Sequence, residues 1–493
     1  MSRRPEKIAV VGRDAAAWTV AFGLQRAFGR VGVAVTVVDL PSLLGPADVC
    51  PALPTLGGLH RLLGLDEREV LASAAGVHAL GQRFVGWSGG QGGFLHAYDS
   101  QPIGLNSVDF LQYWVKGRGK GLALELDEFS LGAAGARHGR LVTDAAPAAG
   151  LPRPAHGYHL HARGYVDLLR RKATASGATC VSGALRGADV ADGRIAAVVL
   201  EDGTRVEADL FVDATGAEAA LIGRLPGDAV EDWGQWLGCD RVLTASAPRL
   251  DPLPGYSQIA AFDAGWLGLY PLQDRTAVVA VYDHARQSDA QMLQTAAALS
   301  GLALQGDATV APFRAGFRPR PWIGNCVAIG EGAVSLEPLD AAPMHVVQVG
   351  LSHLIALFPV GPDFALETEA YNAAIASHAG NLRDFQIAHY KLNGRSGEPF
   401  WDRARDRPAP ETLAYKLKLF AGRGRVALYD DEAFQEPSWT SIFVGHGLIP
   451  RDYDPLVEMV GEPEQVRHFQ NLLRLIAAEV RQAPTIAARL ARP

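Results

Sequence analysis

Cysteine is scarce: Cys50, Cys180, Cys239 and Cys326 are the only four in 493 residues, and they lie far apart with no CxxC pair or His/Cys cluster. That spacing supports neither a zinc site nor a disulfide framework. Long apolar runs are missing too, since none reaches the roughly 18 residues of a membrane-spanning helix. The opening stretch MSRRPEKIAVVG passes within a few positions from two basic residues into a strand-like run, which is not the pattern of a signal peptide. A cytoplasmic location with no membrane partner is therefore expected. Nor is there an excess of positive charge: 46 Lys plus Arg against 53 Asp plus Glu leave a formal charge of −7. No nucleic-acid-binding surface is suggested by that balance, and an enzyme is the better expectation.

What is present is a globular composition, 48% hydrophobic and 20% charged, in a chain long enough for two packed regions. Residues 7–11 (KIAVV) read as a buried parallel strand. Ala15 to Phe28 carry Val20, Ala21, Leu24 and Phe28 at helical spacing, and Val33 to Val38 read as a second strand. This βαβ opening puts Gly12 at the end of the first strand and Asp39 at the end of the second. A carboxylate there can accept bonds from ribose hydroxyls, an arrangement suited to an adenine dinucleotide.

Further along, 41–59 reads as loop, and 60–76 as helical pieces broken at Gly64. The segments 86–93 and 130–157, rich in small residues and turn formers, read as loops. Strands are expected at 180–186, 194–200 and 205–213, the last delivering Asp213-Ala214-Thr215-Gly216 where open α/β sheets bind ligands. The run 259–283 reads as a hairpin turning at 271–275, and 322–332 as a strand ending in Gly-Glu-Gly. A helix follows over 344–358, and amphipathic helices dominate beyond about 366. The expected fold is α/β, with a dinucleotide-binding sheet, a β-rich substrate region and a helical C-terminal part. Its dinucleotide-binding segments lie near 5–60, 160–225 and 320–360, a β-rich substrate region lies near 80–155 and 240–315, and 401–493 is mainly helical.

FVDATG at 211–216 and NCVAIGEGA at 325–333, joined to the βαβ opening, resemble two-domain FAD enzymes. Six further segments bring the likeness closer: LGQRFVGW at 80–87, GYHLHARGYVDLLRR at 157–171, GWLGLYPL at 265–272, EPLD at 337–340, AHYKLNGRSGEPFWDRAR at 388–405 and FVGHGLIPRDYDPL at 443–456. Together they resemble the flavin-dependent tryptophan halogenase family from end to end. The resemblance implies FAD, supplied in reduced form by a separate flavin reductase, and an aromatic small-molecule substrate; it admits a homodimer. In that family reduced flavin and oxygen convert halide to hypohalous acid, a lysine holds the oxidant beside the ring, and a glutamate assists proton removal.

The departures from the family are systematic. Its GxGxxGW becomes Gly12-Arg13-Asp14-Ala15-Ala16-Ala17-Trp18, with Asp14 and Ala17 in place of two glycines. Asp14 puts a like charge beside a phosphate, or serves as a helix N-cap bonded to the amides of Ala16 or Ala17; Arg13 offsets part of that charge. Alignment of LGQRFVGW with KLGIKFxNW places Ala79 at the catalytic lysine, and a methyl holds no hypohalite. His78 beside it is a pocket wall or a structural histidine.

EPLESTG becomes Glu337-Pro338-Leu339-Asp340-Ala341-Ala342-Pro343, so Asp340 is the expected base or, alternatively, the cap of the next helix. WxWxIP keeps Trp266 and Pro271 but has Gly268 and Tyr270 in place of the second Trp and the Ile. Trp266 is expected to line a tunnel or to pack in the core, and Gly268 to loosen that passage. For FAD the expected contacts are Gly12, Arg13, Asp39, Asp213, Gly216 and Glu331, the last being a ribitol contact or a surface turn. His345, His353 and His389 are read as satisfied structural histidines. Three functions fit these residues: oxygenation of an aromatic or indolic molecule, halogenation by a divergent site, and noncatalytic flavin or aromatic-ligand binding.

Overall fold

The computed structural model describes residues 4–90, 92–143, 148 and 150–491. The chain forms two compact units. The first comprises Met1–Gly76, Leu160–Gln235 and Phe313–Gly380; the second comprises Val77–His159, Trp236–Pro312 and Asn381–Pro493.

The first unit is built on a six-stranded sheet. Strand β1 (Lys7–Gly12) and strand β2 (Ala34–Asp39) pair in parallel, joined by helix α1 (Asp14–Phe28). On the other side of β1 comes the Leu210–Ala214 strand, then Cys326–Ala328, both parallel; Thr179–Ser182 adds to β2 and Trp322–Ile323 closes the far edge antiparallel. Ile8 to Val11 are all at most 1% exposed, as expected for a central parallel strand covered on both faces. Helix α1 buries Ala17, Trp18, Val20, Ala21 and Leu24 against the sheet. Register matters most at one edge: Gly12 pairs with both Asp39 and Ala214, so three strand ends align there. A Cβ on Gly12 would lie 2.2 Å from the Ala214 carbonyl oxygen, so only glycine fits.

Several local expectations change. The 205–213 run is two strands, Arg205–Val206 in a separate three-stranded sheet and Leu210–Ala214 in the main one, because the polar turn between them redirects the chain. The 322–332 run is two short strands and a 3-10 turn at Gly330–Gly332. Inside 41–59 lie the strand Val49–Ala52 and the start of the helix Thr55–Leu63, which Gly64 ends at φ 73.

The second unit centres on a seven-stranded sheet in the order Gln305–Pro312, Arg241–Pro248, Arg275–Tyr282, Gly265–Pro271, Tyr256–Phe262, Gly81–Val85, Gly93–Ala97. The 259–283 segment is thus two consecutive hairpins. One face of the sheet packs Leu243, Leu267, Leu269, Val278 and Ala280 against Met292 and Ala296 of the helix Asp289–Ser300. The C-terminal stretch is helical as expected, with Pro399–Asp406, Glu411–Arg423, Glu436–Gly445 and Glu462–Gln482. Within 130–157, read as loop, Leu131–Arg137 is a helix capped by the Ser130 side chain on the Ala133 amide; residues 144–147 and 149 of that segment lie outside the described residues.

The motif GRSGEPFW acts as a fastener. Arg395 bonds Glu398 through two nitrogens (2.6 and 2.8 Å) and donates to the Gly86 carbonyl (2.9 Å), while Trp401 Nε1 donates to the Phe262 carbonyl (2.6 Å). The motif thus holds its neighbours by bidentate ion pairing and indole anchoring.

Candidate functional site

The aligned strand ends of the first unit carry most of the expected cofactor residues. The N-cap of α1 is Arg13, and no side chain caps the helix. Asp14 is its first residue, at φ 58, and its carboxylate turns away: Ser42 Oγ donates to Oδ1 at 2.5 Å and the Leu43 amide to Oδ2 at 3.3 Å. The N-cap reading of Asp14 is therefore wrong, because a partner 28 residues on takes its carboxylate. Arg13 Nη1 reaches Glu218 at 3.2 Å, so its charge is paired there and does not offset Asp14. The first turn of α1 thus presents amide donors and the positive dipole end with no side chain occupying them, which is what a pyrophosphate requires.

Asp39 accepts from Trp18 Nε1 (3.1 Å) and pairs with Arg170 (3.0 Å). Burial raises its pKa from the ordinary aspartate value, opposed by Arg170 and Trp18 and reinforced by Asp14. Asp213 does not fit its expected role. It is fully buried, and its oxygens accept from the Thr215 amide and hydroxyl and from the Leu221 and Ile222 amides, at 2.7–3.1 Å. This carboxylate is a clamp that orders 215–222 and has no face left for a cofactor. Gly216 stands at φ 88, the left-handed region where glycine is favoured.

Glu331 accepts from the Ala217 amide and opens on a cleft of about 270 Å³, lined also by Arg314, Arg318, Asp232 and Phe317. Desolvation by the surrounding protein raises its pKa, opposed by the hydrogen bond from the Ala217 amide. Arg318 is spoken for by Asp228 (2.9 Å) and the Gly332 carbonyl (2.9 Å), and Arg314 by Asp232 (2.8 Å).

Asp340 is 1% exposed and stands at φ 57, followed by Ala341 at φ 56. The helix Ala342–Ala356 starts with Ala341 as N-cap and no side-chain cap, so Asp340 is not the cap. Two consecutive non-glycine residues in the left-handed region cost roughly 1–2 kcal/mol each, strain of a kind that collects at functional turns. One turn on, His345 is buried, and neither ring nitrogen meets a hydrogen-bond partner among the described residues. Burial, then His378, lowers its pKa to about 4. Gln348, on the same face, accepts from Thr55 Oγ1 (3.0 Å) while its Nε2 is likewise unmatched. His345 was expected to be satisfied, and it is not; its place in the helix after the EPLD motif was the available signal. The other two do have partners: His353 faces His378 (3.3 Å) and His389 faces His446 (2.8 Å).

In the second unit Ala79 is 1% exposed at the end of the strand Val77–Ala79. His78 is buried, edge-on to His156 at 4.7 Å. Trp266 is fully buried within the sheet, opposite Ala261 and Val281. Gly268 does not open a passage: a Cβ there would lie 2.6 Å from the Tyr270 ring, which already fills the space. A cleft of about 280 Å³ in this unit is lined by Phe94, Leu95, Asp99, Asp127, Ser441 and Val444 among others, and by neither His78 nor Trp266.

A parallel sheet with an uncapped dinucleotide turn, a β-rich second unit and a helical C-terminal part defines a two-domain FAD-dependent oxidoreductase fold. The model of the tryptophan halogenase family matches residues 7–462, and the chain belongs to that family. It is similar to BrvH, a flavin-dependent halogenase from Brevundimonas sp. BAL3 (32% identity, TM-score 0.92, 99% of each chain covered). It is also similar to Xcc4156, a flavin-dependent halogenase from Xanthomonas campestris (29%, TM-score 0.92, 99% of this chain and 98% of that one). Tryptophan 7-halogenase KtzQ of Kutzneria sp. (strain 744) is 28% identical over 538 residues, covering 99% of this chain and 98% of the relative. Flavin-dependent halogenases use reduced FAD supplied by a separate flavin reductase. Among the described residues no helix is long and apolar enough to cross a membrane.

Proposed function

We propose that this chain uses reduced FAD and oxygen to oxygenate an aromatic or indolic small molecule. The observation that carries the reading is Ala79, a buried methyl where the family resemblance places the oxidant-holding lysine. With neither amine nor cationic donor at that position, nothing there retains a hypohalite, while transfer of oxygen needs no such tether. Bound reduced FAD would supply two electrons to oxygen, so that one oxygen atom enters the ring and the other leaves as water.

The protein's part is placement. The α1 amides and the Asp39 carboxylate hold the dinucleotide, and Gly12, Gly216 and Glu331 shape its crevice. Asp340, held by its left-handed turn, takes the ring proton released as aromaticity returns.

Halogenation is the second reading, favoured by the likeness to BrvH over the whole chain. Purified protein with FAD, a flavin reductase, bromide and a panel of indoles and phenols separates the two. Products one oxygen atom heavier, formed without halide, are expected. Brominated products that require bromide would establish the second reading. No product of either kind, with flavin reduction verified, would overturn both in favour of a noncatalytic binder.

A further inference from the structure

The turn at the start of α1 contains a carboxylate that ought to spoil it. An aspartate beside the first helical amides can bond them itself, and it repels the phosphate that would otherwise use them. Here the carboxylate is held elsewhere on both oxygens, by Ser42 Oγ at 2.5 Å and the Leu43 amide at 3.3 Å, and Ser42 Oγ is itself steadied by the Leu44 amide at 3.1 Å. The segment carrying these donors does not rely on Asp14 for its place. Arg163 donates to the Leu44 carbonyl (2.6 Å), the Gly45 amide donates to Asp48 (2.9 Å) and the Leu40 amide donates to the Gly12 carbonyl (2.9 Å). Asp14 itself stands at φ 58, in the left-handed region.

We infer that Ser42 is a positioning residue for the cofactor: by holding the Asp14 carboxylate away from the α1 amides, it keeps the turn open to the pyrophosphate of FAD. This rests on the reading that the chain binds FAD. Ser42 makes no contact with the phosphate in this scheme and acts only through Asp14. Loss of its hydroxyl leaves only the longer Leu43 contact at 3.3 Å, too weak to keep the carboxylate from swinging back to the helix amides.

The test is a double-mutant cycle on the full chain, with FAD affinity read by flavin fluorescence. Ser42→Ala weakens FAD binding by roughly five- to tenfold, the scale set by one side-chain cap competing for a helix end. Asp14→Gly, which suits the left-handed backbone, tightens it. In the Asp14→Gly background Ser42→Ala has no effect, and that rescue distinguishes the mechanism from damage to the loop. Equal weakening in both backgrounds would overturn the inference.

A second measurement needs no flavin: hydrogen exchange at the amides of Ala15 and Ala16 becomes slower in Ser42→Ala and returns to the wild-type rate in the double variant. Unchanged exchange in Ser42→Ala would refute the device. Failure of wild-type protein and every variant to bind FAD would sink the cofactor reading alone, leaving the exchange rates to decide whether Ser42 parks Asp14.

Discussion

Gly268 offers a test of how the second unit's sheet is packed. The strand Gly265–Pro271 is buried along its whole length, and the Tyr270 ring folds over Gly268. A methyl at 268 would sit 2.6 Å from one ring carbon, closer than a stable contact holds, and 3.1 Å from both the next carbon and the hydroxyl oxygen, which is tight. The ring cannot retreat freely, because it is itself fully buried and edge-on to His159 at 5.5 Å. Gly268→Ala is therefore an overpacking change, costing about 1–3 kcal/mol.

Tyr270→Ile removes the obstruction, and by deleting a buried ring costs about 2 kcal/mol or more alone. In that background the new methyl fills vacated space, so its cost falls to near zero, giving a coupling of roughly 1–3 kcal/mol between the two sites. Urea unfolding followed by tryptophan fluorescence, with unchanged m-values, measures all four corners of the cycle. Equal cost of Gly268→Ala in both backgrounds would refute the packing argument and restore the idea of open space at Gly268.

Other outcomes follow from the same geometry. Asp340→Asn is expected to reduce product formation by about 100-fold or more, the lower end for loss of a proton acceptor, with FAD affinity unchanged; retained turnover would remove Asp340 from the chemistry. Asp213→Ala, which deletes the acceptor for the Thr215, Leu221 and Ile222 donors, should lower stability by about 3 kcal/mol or more; a loss of FAD affinity at undiminished stability would instead show direct cofactor contact. Gly12→Ala forces a backbone clash with Ala214 and should yield unstable or insoluble protein, checked by expression and melting.

Acid sensitivity has a defined sign. Burial lowers the pKa of His60, His159 and His345 to about 4 and of His389 to about 3. Each is neutral when folded, so its contribution is fully present above the unfolded pKa of about 6.5 and is lost as pH falls toward 4. The unfolding free energy from urea titrations should therefore drop steeply between pH 6.5 and pH 4, by on the order of 3 kcal/mol per protonated histidine at most. A flat profile across that window would contradict the burial of these rings in neutral form.

Much of the first unit was legible along the chain. A continuous apolar run, a helical stripe and a second run are local patterns, so β1, α1 and β2 were placed within a residue or two, and Gly12 and Asp39 at their ends with them. The pattern is weaker where elements are short: Val49–Ala52 contains Pro51 and Leu131–Arg137 contains Gly132 and Gly135, residues that disfavour a strand and a helix respectively, and tertiary contacts decide. Gly268 misled for a different reason, because a missing side chain reads as space until the neighbour that fills it is located.

Sequence alone determined the family, the order of the dinucleotide segments and the positions where the family pattern is broken, since all three are properties of residue identity and spacing. Tertiary structure alone decided what the exceptional side chains do. Asp213 and Asp14 are both carboxylates near strand ends, and nothing in their local sequence separates them. One is saturated by a loop folded around it and the other is drawn aside by Ser42, because a buried or crowded carboxylate takes whichever donors the fold brings within about 3 Å.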